Sequence, residues 1–160
     1  MSCINCGARV EGRVCRYCGT VRAPLESTSD EAEAIAELHR AIAEADSDSV
    51  RARILKHGPI PTDQDVLIDS GIRTAQLLDP ERYTDDTPAA AIARIQAISM
   101  KLRLLSDGSG SAKRAADELE QRIERYRHDA KRESRAGVRA VIILVLLAIA
   151  IAFGVKQLFQ

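Results

Sequence analysis

The residues best suited to chemistry are four cysteines near the start of the sequence. They form two Cys-x-x-Cys pairs separated by eight residues, and a glycine follows each pair: Cys3, Cys6, Cys15 and Cys18. Four thiolates at this spacing suit a tetrahedral zinc ion with Zn–S bonds of about 2.3 Å. Gly7 and Gly19 permit the positive φ of tight turns that point backbone amides at the sulfurs. We therefore expect two matching knuckles, a short β-hairpin over residues 7–14, and one structural zinc.

Two other uses of the cysteines are weighed against zinc. Four cysteines can form two disulfides in an oxidising compartment, but Met1 leads to Cys3 with no apolar stretch, so no signal peptide is predicted. A redox dithiol usually has one Cys-x-x-Cys beside a βαβ pattern, which this sequence lacks. A catalytic zinc is disfavoured because four cysteine ligands leave no position for water.

Residues 1–22 resemble the short zinc-ribbon family found at the N-termini of many bacterial proteins. The matching residues are Cys3, Cys6, Gly7, Cys15, Cys18 and Gly19. Ile4 and Arg16 replace the proline common after the first cysteine of each pair, and Val14 replaces a common aromatic residue. The resemblance implies a fold and a metal but no activity, since such ribbons contact nucleic acids, dock proteins or act as structural caps.

The elements that must position this ribbon are helical. Residues 23–29 are interpreted as a linker and residues 30–110 as a helical bundle, because no strand pattern of any length appears there. The capping residues predict four helix starts, near Ser29, after Ser47, after Thr62 or Asp63, and at Thr87-Pro88. Two capping boxes, Ser27 with Asp30 and Thr28 with Glu31, favour the first of these starts.

The apolar residues of these helices recur at three- and four-residue spacing and predict the buried faces. They are Ile35, Leu38, Ile42 and Ala45 in the first helix, Val66, Leu67, Ile68, Ile72, Ala75 and Leu78 in the third, and Ile92, Ile95, Ile98, Leu102 and Leu105 in the fourth. Gly71 would weaken the third helix, and we expect it there for close packing against a neighbour.

A fifth, basic helix is predicted over residues 111–137, packing on the bundle next to a membrane. Its apolar residues follow a heptad-like seam, Ala116, Leu119, Ile123, Tyr126 and Ala130. The helix is expected to continue into the membrane or to bend at Gly137. A homodimer is considered through residues 116–130 or through the small residues Ala148 and Ala152 of the span.

Residues 138–156 are interpreted as a single transmembrane helix, followed by a short tail, 157–160. Sixteen consecutive apolar residues, 140–155, reach about 24 Å, and the flanking residues extend this to the roughly 30 Å hydrocarbon core. The predicted flanks are Arg132, Arg135, Arg139 and Lys156. Because basic residues concentrate before the span, the positive-inside rule places the N-terminal side in the cytosol. The composition, rich in Arg and Ala, favours a bacterial plasma membrane.

The fold class expected is therefore mostly α, with a small zinc ribbon and a transmembrane helix, and no enzyme is expected. His39, His57 and His128 are isolated and are expected at the surface or at helix ends, and Asp63, Asp65 and Asp69 suit capping or solvated positions. The leading hypothesis is an adaptor or scaffold that docks a protein partner at the cytosolic face of the membrane. The alternative is a tethered nucleic-acid-binding ribbon, which the acidic residues of 26–48, net charge −7, disfavour.

Overall fold

The structure is a computed structural model that describes residues 2–79, 86–105 and 110–132. Helix α1 spans Thr28–Ala43, α2 Asp48–His57, α3 Gln64–Ala75 and α4 Asp86–Leu105, and residues 110–132 are helical and form α5. The chain divides into one compact unit, Met1–Glu124, and a second, Arg125–Gln160. The mostly α class is confirmed for the described residues.

The helices begin where their capping residues predict. Ser27 Oγ accepts a hydrogen bond from the Asp30 amide at 3.2 Å, and Ser47 Oγ accepts one from the Val50 amide at 3.3 Å. Asp63 Oδ1 accepts from the amides at the start of α3, those of Asp65 and Val66. Each side chain supplies an acceptor for amides that have no partner within the first helical turn.

The Glu31 carboxylate does not close a second capping box on α1. It reaches instead to the start of α3, where its Oε2 accepts from the amides of Thr62 and Asp63, both at 2.8 Å. Only 6% of Glu31 is exposed. A buried carboxylate at a helix N-terminus is stabilised by these amides and by the positive end of the helix dipole, so Glu31 joins α1 to α3.

The apolar stripes of the helices form two clusters within the first unit. One cluster joins α1 and α2 around Ile35, Leu38 and Ile54, and the other joins α3, α4 and α5 around Leu67, Ile98 and Leu119. Most of the predicted inward residues are buried, namely Ile35, Leu38, Ile42, Leu67, Ala75, Ile95, Ile98, Leu102, Ala116, Leu119 and Ile123. The first part of the predicted seam of α5 is therefore covered by α3 and α4.

The predicted buried face of α3 is partly wrong. Ile72 is 41% exposed, while Ser70, Gly71 and Thr74 are buried. The reason is close helix packing, because a Cβ at Gly71 would lie 2.7 Å from a Leu119 methyl carbon. Small residues let α4 and α5 approach this side of α3, which confirms the close packing expected at Gly71. Leu105, at the end of α4, is also exposed rather than buried.

The β-hairpin predicted over residues 7–14 does not form. Two isolated antiparallel bridges are present instead, Ser2 with Arg9 and Val14 with Val21, and the described residues contain no longer strand. Each bridge closes around one Cys-x-x-Cys turn. The pairing is therefore local to each knuckle, because the turn at each cysteine pair brings its own flanking residues together.

A buried arginine connects α4 to the end of α2. Arg94 is 4% exposed, and its guanidinium donates to the carbonyls of Gly58, at 3.0 Å, and of Pro59. A weaker contact of 3.4 Å reaches the Leu55 carbonyl. Because the last carbonyls of a helix lack intrahelical donors, Arg94 caps α2 from another helix.

Among the helices that the structure describes, none combines the length and the apolar character needed to cross a bilayer. The predicted span, residues 138–156, and the tail, 157–160, lie outside the described residues.

Candidate metal centre

The four cysteine side chains converge on one point. All four are free thiols, and their sulfur atoms lie within 4.8 Å of one another. Cys3 Sγ is 3.7 Å from Cys18 Sγ, and Cys6 Sγ is 3.7 Å from Cys15 Sγ. A tetrahedral ion with bonds of about 2.3 Å to sulfur requires S···S separations of about 3.8 Å, whereas a disulfide needs about 2 Å. The arrangement is compatible with a metal site.

The two knuckles have the same backbone geometry. In the first, the amide of Gly7 donates to the Cys3 carbonyl and the amide of Cys3 donates to the Ala8 carbonyl. In the second, Gly19 and Cys15 repeat these bonds, with the Thr20 carbonyl as the last acceptor. Gly7 and Gly19 have φ of 75° and 77°, which confirms the positive φ expected from the sequence.

The environment of the sulfurs differs between the two cysteines of the second knuckle. Burial raises the pKa of Cys15 to about 12. Burial also acts to raise the pKa of Cys18, but hydrogen bonds from the side chain and amide of Thr20 outweigh it and lower the pKa to about 6. Four neighbouring thiolates repel one another, so a bound cation is what permits all four to ionise together.

Residues 2–22, which carry both knuckles and are called the ribbon here, are attached to helix α1 by three carboxylates. Glu37 Oε2 accepts from the backbone amides of Arg13 and Val14, at 2.6 and 2.9 Å. The Arg13 guanidinium forms ion pairs with Asp30 and Glu33, each at 2.7 Å. The ribbon therefore presents amides and a guanidinium to three acids of α1.

The ribbon also contributes to the packing of the bundle. Val14 is 6% exposed and belongs to the apolar cluster of α1 and α2. Gly19 lies against the end of α2, where a Cβ would be 2.3 Å from the Ile54 carbonyl oxygen. The second knuckle is thus in contact with the same turn of α2 that Arg94 caps.

The two knuckle glycines provide a matched pair for testing this contact. Both Gly7→Ala and Gly19→Ala place a Cβ at positive φ, which costs about 1–2 kcal/mol. Only at Gly19 does the Cβ also meet backbone, since nothing lies within 4 Å of one at Gly7. We expect Gly19→Ala to lower the free energy of unfolding by about 1–3 kcal/mol more than Gly7→Ala. The difference is measured by denaturant unfolding of the metal-loaded chains, monitored through the circular dichroism of the helices. Equal decreases in the free energy of unfolding for the two variants would contradict the packing of Gly19 against α2.

The remaining residues singled out in the sequence do not join the metal centre. Arg132 is exposed at the end of the described part of α5, and Arg135, Arg139 and Lys156 lie outside the described residues. Asp65 and Asp69 are exposed on α3, as expected, and Asp63 caps that helix. His57 and His128 are exposed at the surface.

His39 was expected at a surface or a helix end but is half-buried within α1. Its Nε2 is buried without a hydrogen-bond partner among the described residues. Burial lowers the pKa of His39 to about 4, and the nearby positive charges of Arg94 and Arg73 add to this, while Asp69 opposes it. The imidazole is therefore neutral at pH 7.

This depressed pKa predicts a pH dependence of stability. An unfolded histidine has a pKa of about 6.5, so the stability that accompanies a neutral His39 is fully present above that pH. It is lost as the pH falls from 6.5 towards 4, by about 3 kcal/mol in total. We expect the free energy of unfolding of His39→Gln to fall less over this window than that of the native chain. If the free energy of unfolding falls equally with pH in the two chains, the prediction is contradicted.

Comparison of the chain with protein-family models, with curated proteins and with solved structures finds no match.

Proposed function

We propose that this protein is a zinc-ribbon adaptor, anchored in a membrane by residues 138–156, that holds a protein partner at the cytosolic face. The observation that carries the proposal is the convergence of four thiols in a ribbon that is itself packed on a helical bundle. Four thiolates at tetrahedral spacing are typical of structural zinc and leave no open position for a reacting water. The metal then maintains a surface rather than performing a reaction.

The surface that such a site would maintain is the tip of the ribbon. Ile4, next to a ligand in the first knuckle, is 91% exposed, and Tyr17 in the second is 42% exposed. The Arg16 guanidinium lies 5.1 Å from the centre of the Tyr17 ring, a cation–π contact. Exposed aliphatic, aromatic and arginine side chains on a rigid support are typical of the anchor residues of protein interfaces.

The contacts of the ribbon give less support to nucleic-acid binding. Of its four arginines, Arg13 is paired with Asp30 and Glu33, and Arg9 lies 3.8 Å from Glu11. A ribbon whose basic residues are paired with acids of the same chain has fewer charges with which to displace counterions from phosphates. A protein partner is therefore the function proposed.

The membrane part of the proposal is supported by the sequence. The apolar run of residues 140–155 and the excess of basic residues before it indicate a span with the ribbon and bundle on the cytosolic side. Reduced thiolates, which zinc requires, persist in that compartment.

Capture of partners by the full chain from solubilised bacterial membranes tests the proposal. The chain is expected in the membrane pellet after alkaline washing, together with a specific protein that the Ile4→Ser variant no longer retains. Met100→Ser is the matched control, because Met100 is also well exposed, at 68%, but lies on α4. Recovery of the chain in the soluble fraction would refute the anchor, and equal partner recovery by both variants would refute the ribbon tip as the docking surface.

A further inference from the structure

Exposed basic residues lie along one side of helix α5, in a segment that the metal centre does not use. Arg125, His128 and Arg132 recur at three- and four-residue spacing, which places them on the same side of the helix. Lys131 follows His128 by three residues and lies beside them. These four exposed residues form the basic face of α5.

The other side of this part of α5 carries the end of the apolar seam. Ile123 is buried, while Tyr126 and Ala130, which follow it at the same spacing, are only partly buried. From residue 124 to residue 132, the last that the structure describes, no residue is buried. The helix is therefore amphipathic here, and its basic face is open to an external partner.

The charge of the basic face is not cancelled by its neighbours. Residues 125–132 contain four lysine or arginine residues and one acid, Asp129, which gives a net charge of +3. Asp129 lies beside His128, with its Oδ1 3.6 Å from the imidazole Nδ1. Among the residues that the structure describes, no ion pair involves Lys131 or Arg132. The excess of positive charge continues along the sequence, because residues 121–139 carry seven bases and three acids.

The basic face is also close in the sequence to the proposed membrane span. Residues 133–139 separate Arg132 from the start of the apolar run at Ala140, and eight residue steps reach at most about 28 Å in a fully extended chain. Arg135 and Arg139 continue the three- and four-residue spacing in the sequence and lie outside the described residues. This step rests on the proposed membrane anchor, since only a span at 138–156 places the basic face within that distance of a bilayer.

We propose that the basic face of α5 binds the headgroups of anionic phospholipids in the cytosolic leaflet. A leaflet that contains such lipids has a negative surface potential, which attracts basic segments next to a membrane span. The attraction acts over a Debye length of about 8 Å at physiological ionic strength, and the long side chains of lysine and arginine extend towards the headgroups. The anchor then has an apolar part that inserts and a charged part that responds to lipid composition.

Hydrogen exchange of the full chain, inserted into lipid nanodiscs, tests the proposal. One set of discs contains phosphatidylcholine alone, and the other contains an equal mixture of phosphatidylcholine and phosphatidylglycerol. We expect the amides of residues 125–132 to exchange about fivefold or more slowly in the anionic discs, because each base near an anionic surface strengthens binding by about fivefold. The difference should vanish at about 1 M salt, where the Debye length falls to about 3 Å.

Lys131→Gln combined with Arg132→Gln is expected to remove most of the difference between the two kinds of disc. Both residues are exposed, so the double variant is expected to fold as the native chain does. Lys113→Gln combined with Arg114→Gln is the matched control, because it removes the same charge from exposed positions at the start of α5, far from the apolar run. This control should keep the difference.

The outcomes separate the lipid contact from the anchor on which it rests. A chain that enters neither kind of disc would refute the membrane anchor and, with it, this proposal. A chain that enters both but exchanges at equal rates in them would overturn lipid binding alone, and the bases would then only set the orientation of the span during insertion. Equal effects of the two double variants would also overturn the assignment of lipid binding to the basic face.

Discussion

Cys15→Ser is expected to abolish tight binding of zinc and to weaken the helical bundle as well as the ribbon. Cys15 is fully buried, and its sulfur is one of four that converge within 4.8 Å. Structural zinc supplies about 10–16 kcal/mol in small zinc-dependent domains at pH 7, so a ribbon without it has little else to fold it. Its two isolated bridges and its small apolar cluster bury too little surface to replace the metal.

The bundle is affected because the ribbon supplies part of its packing. An unfolded ribbon withdraws Val14 from the cluster of α1 and α2 and removes two amides from the Glu37 carboxylate. Exposure of one buried valine and loss of these bonds lower the free energy of unfolding of the helices by about 2–4 kcal/mol. The measurements are the zinc content of the purified chain by mass spectrometry and denaturant unfolding followed by circular dichroism.

Ile4→Ser is the matched control for this prediction, because it changes a neighbour of Cys3 that is 91% exposed without removing a thiol. It should retain one zinc per chain and native stability, within the few tenths of a kcal/mol usual for surface changes. A Cys15→Ser chain that keeps a full equivalent of zinc would contradict the four-thiolate site. A chain that loses zinc but keeps the stability of its helices would contradict the coupling of ribbon and bundle.

Arg94→Met is expected to destabilise the bundle by about 2–4 kcal/mol. The methionine fills similar space, but the carbonyls of Gly58 and Pro59 lose their donor in a buried region. The penalty comes from unpaired acceptors at the end of α2, where the helix dipole also favours a positive charge. Arg94→Lys should recover part of the loss, because it restores the charge but cannot reach several carbonyls at once.

Arg103→Met on the same helix is the control. Its guanidinium pairs with Asp117 and Glu120 of α5, but all three side chains are about half exposed. Exposed ion pairs contribute about 0–1 kcal/mol, so this change should be nearly silent. If Arg94→Met and Arg103→Met lower the free energy of unfolding in urea by similar amounts, the buried position of Arg94 has no special effect on stability.

The features that the sequence predicted best are those determined by neighbours along the chain. The cysteine spacing, the positive φ of Gly7 and Gly19, and the capping residues Ser27, Ser47 and Asp63 all act within a few residues. Their geometry is decided by short-range hydrogen bonds and is visible in local patterns.

Features that depend on which helix covers which face were harder to predict. Periodicity marks Ile72 as apolar, but it cannot show that Ser70 and Thr74 are buried or that Gly71 lies against Ile98 of α4 and Leu119 of α5. From the sequence alone, Arg94 reads as an exposed charge on α4. Only the fold shows that its guanidinium binds the end of α2. An arginine among the buried apolar residues of a helix often donates hydrogen bonds to the end of another helix. The position of Arg94 in the sequence was therefore an indirect indication of this role.

The acidic segment of residues 26–48 also had a use that composition could not show. Its net charge of −7 served only as an argument against nucleic-acid binding. In the structure, Asp30, Glu33 and Glu37 bind the ribbon, and Glu31 binds the start of α3. A net charge cannot show such pairings, because Arg13 is far from Asp30 and Glu33 in the sequence and meets them only in the fold.

The contact of Gly19 with the last turn of α2 would link the occupancy of the metal centre to the integrity of that helix. The same turn is bound by Arg94 of α4, so a disturbance at the second knuckle would reach two helices in succession. A chain synthesised during zinc starvation would have a loosened body that quality-control proteases can recognise. The abundance of the protein in a cell would then follow the supply of the metal, without any dedicated sensor.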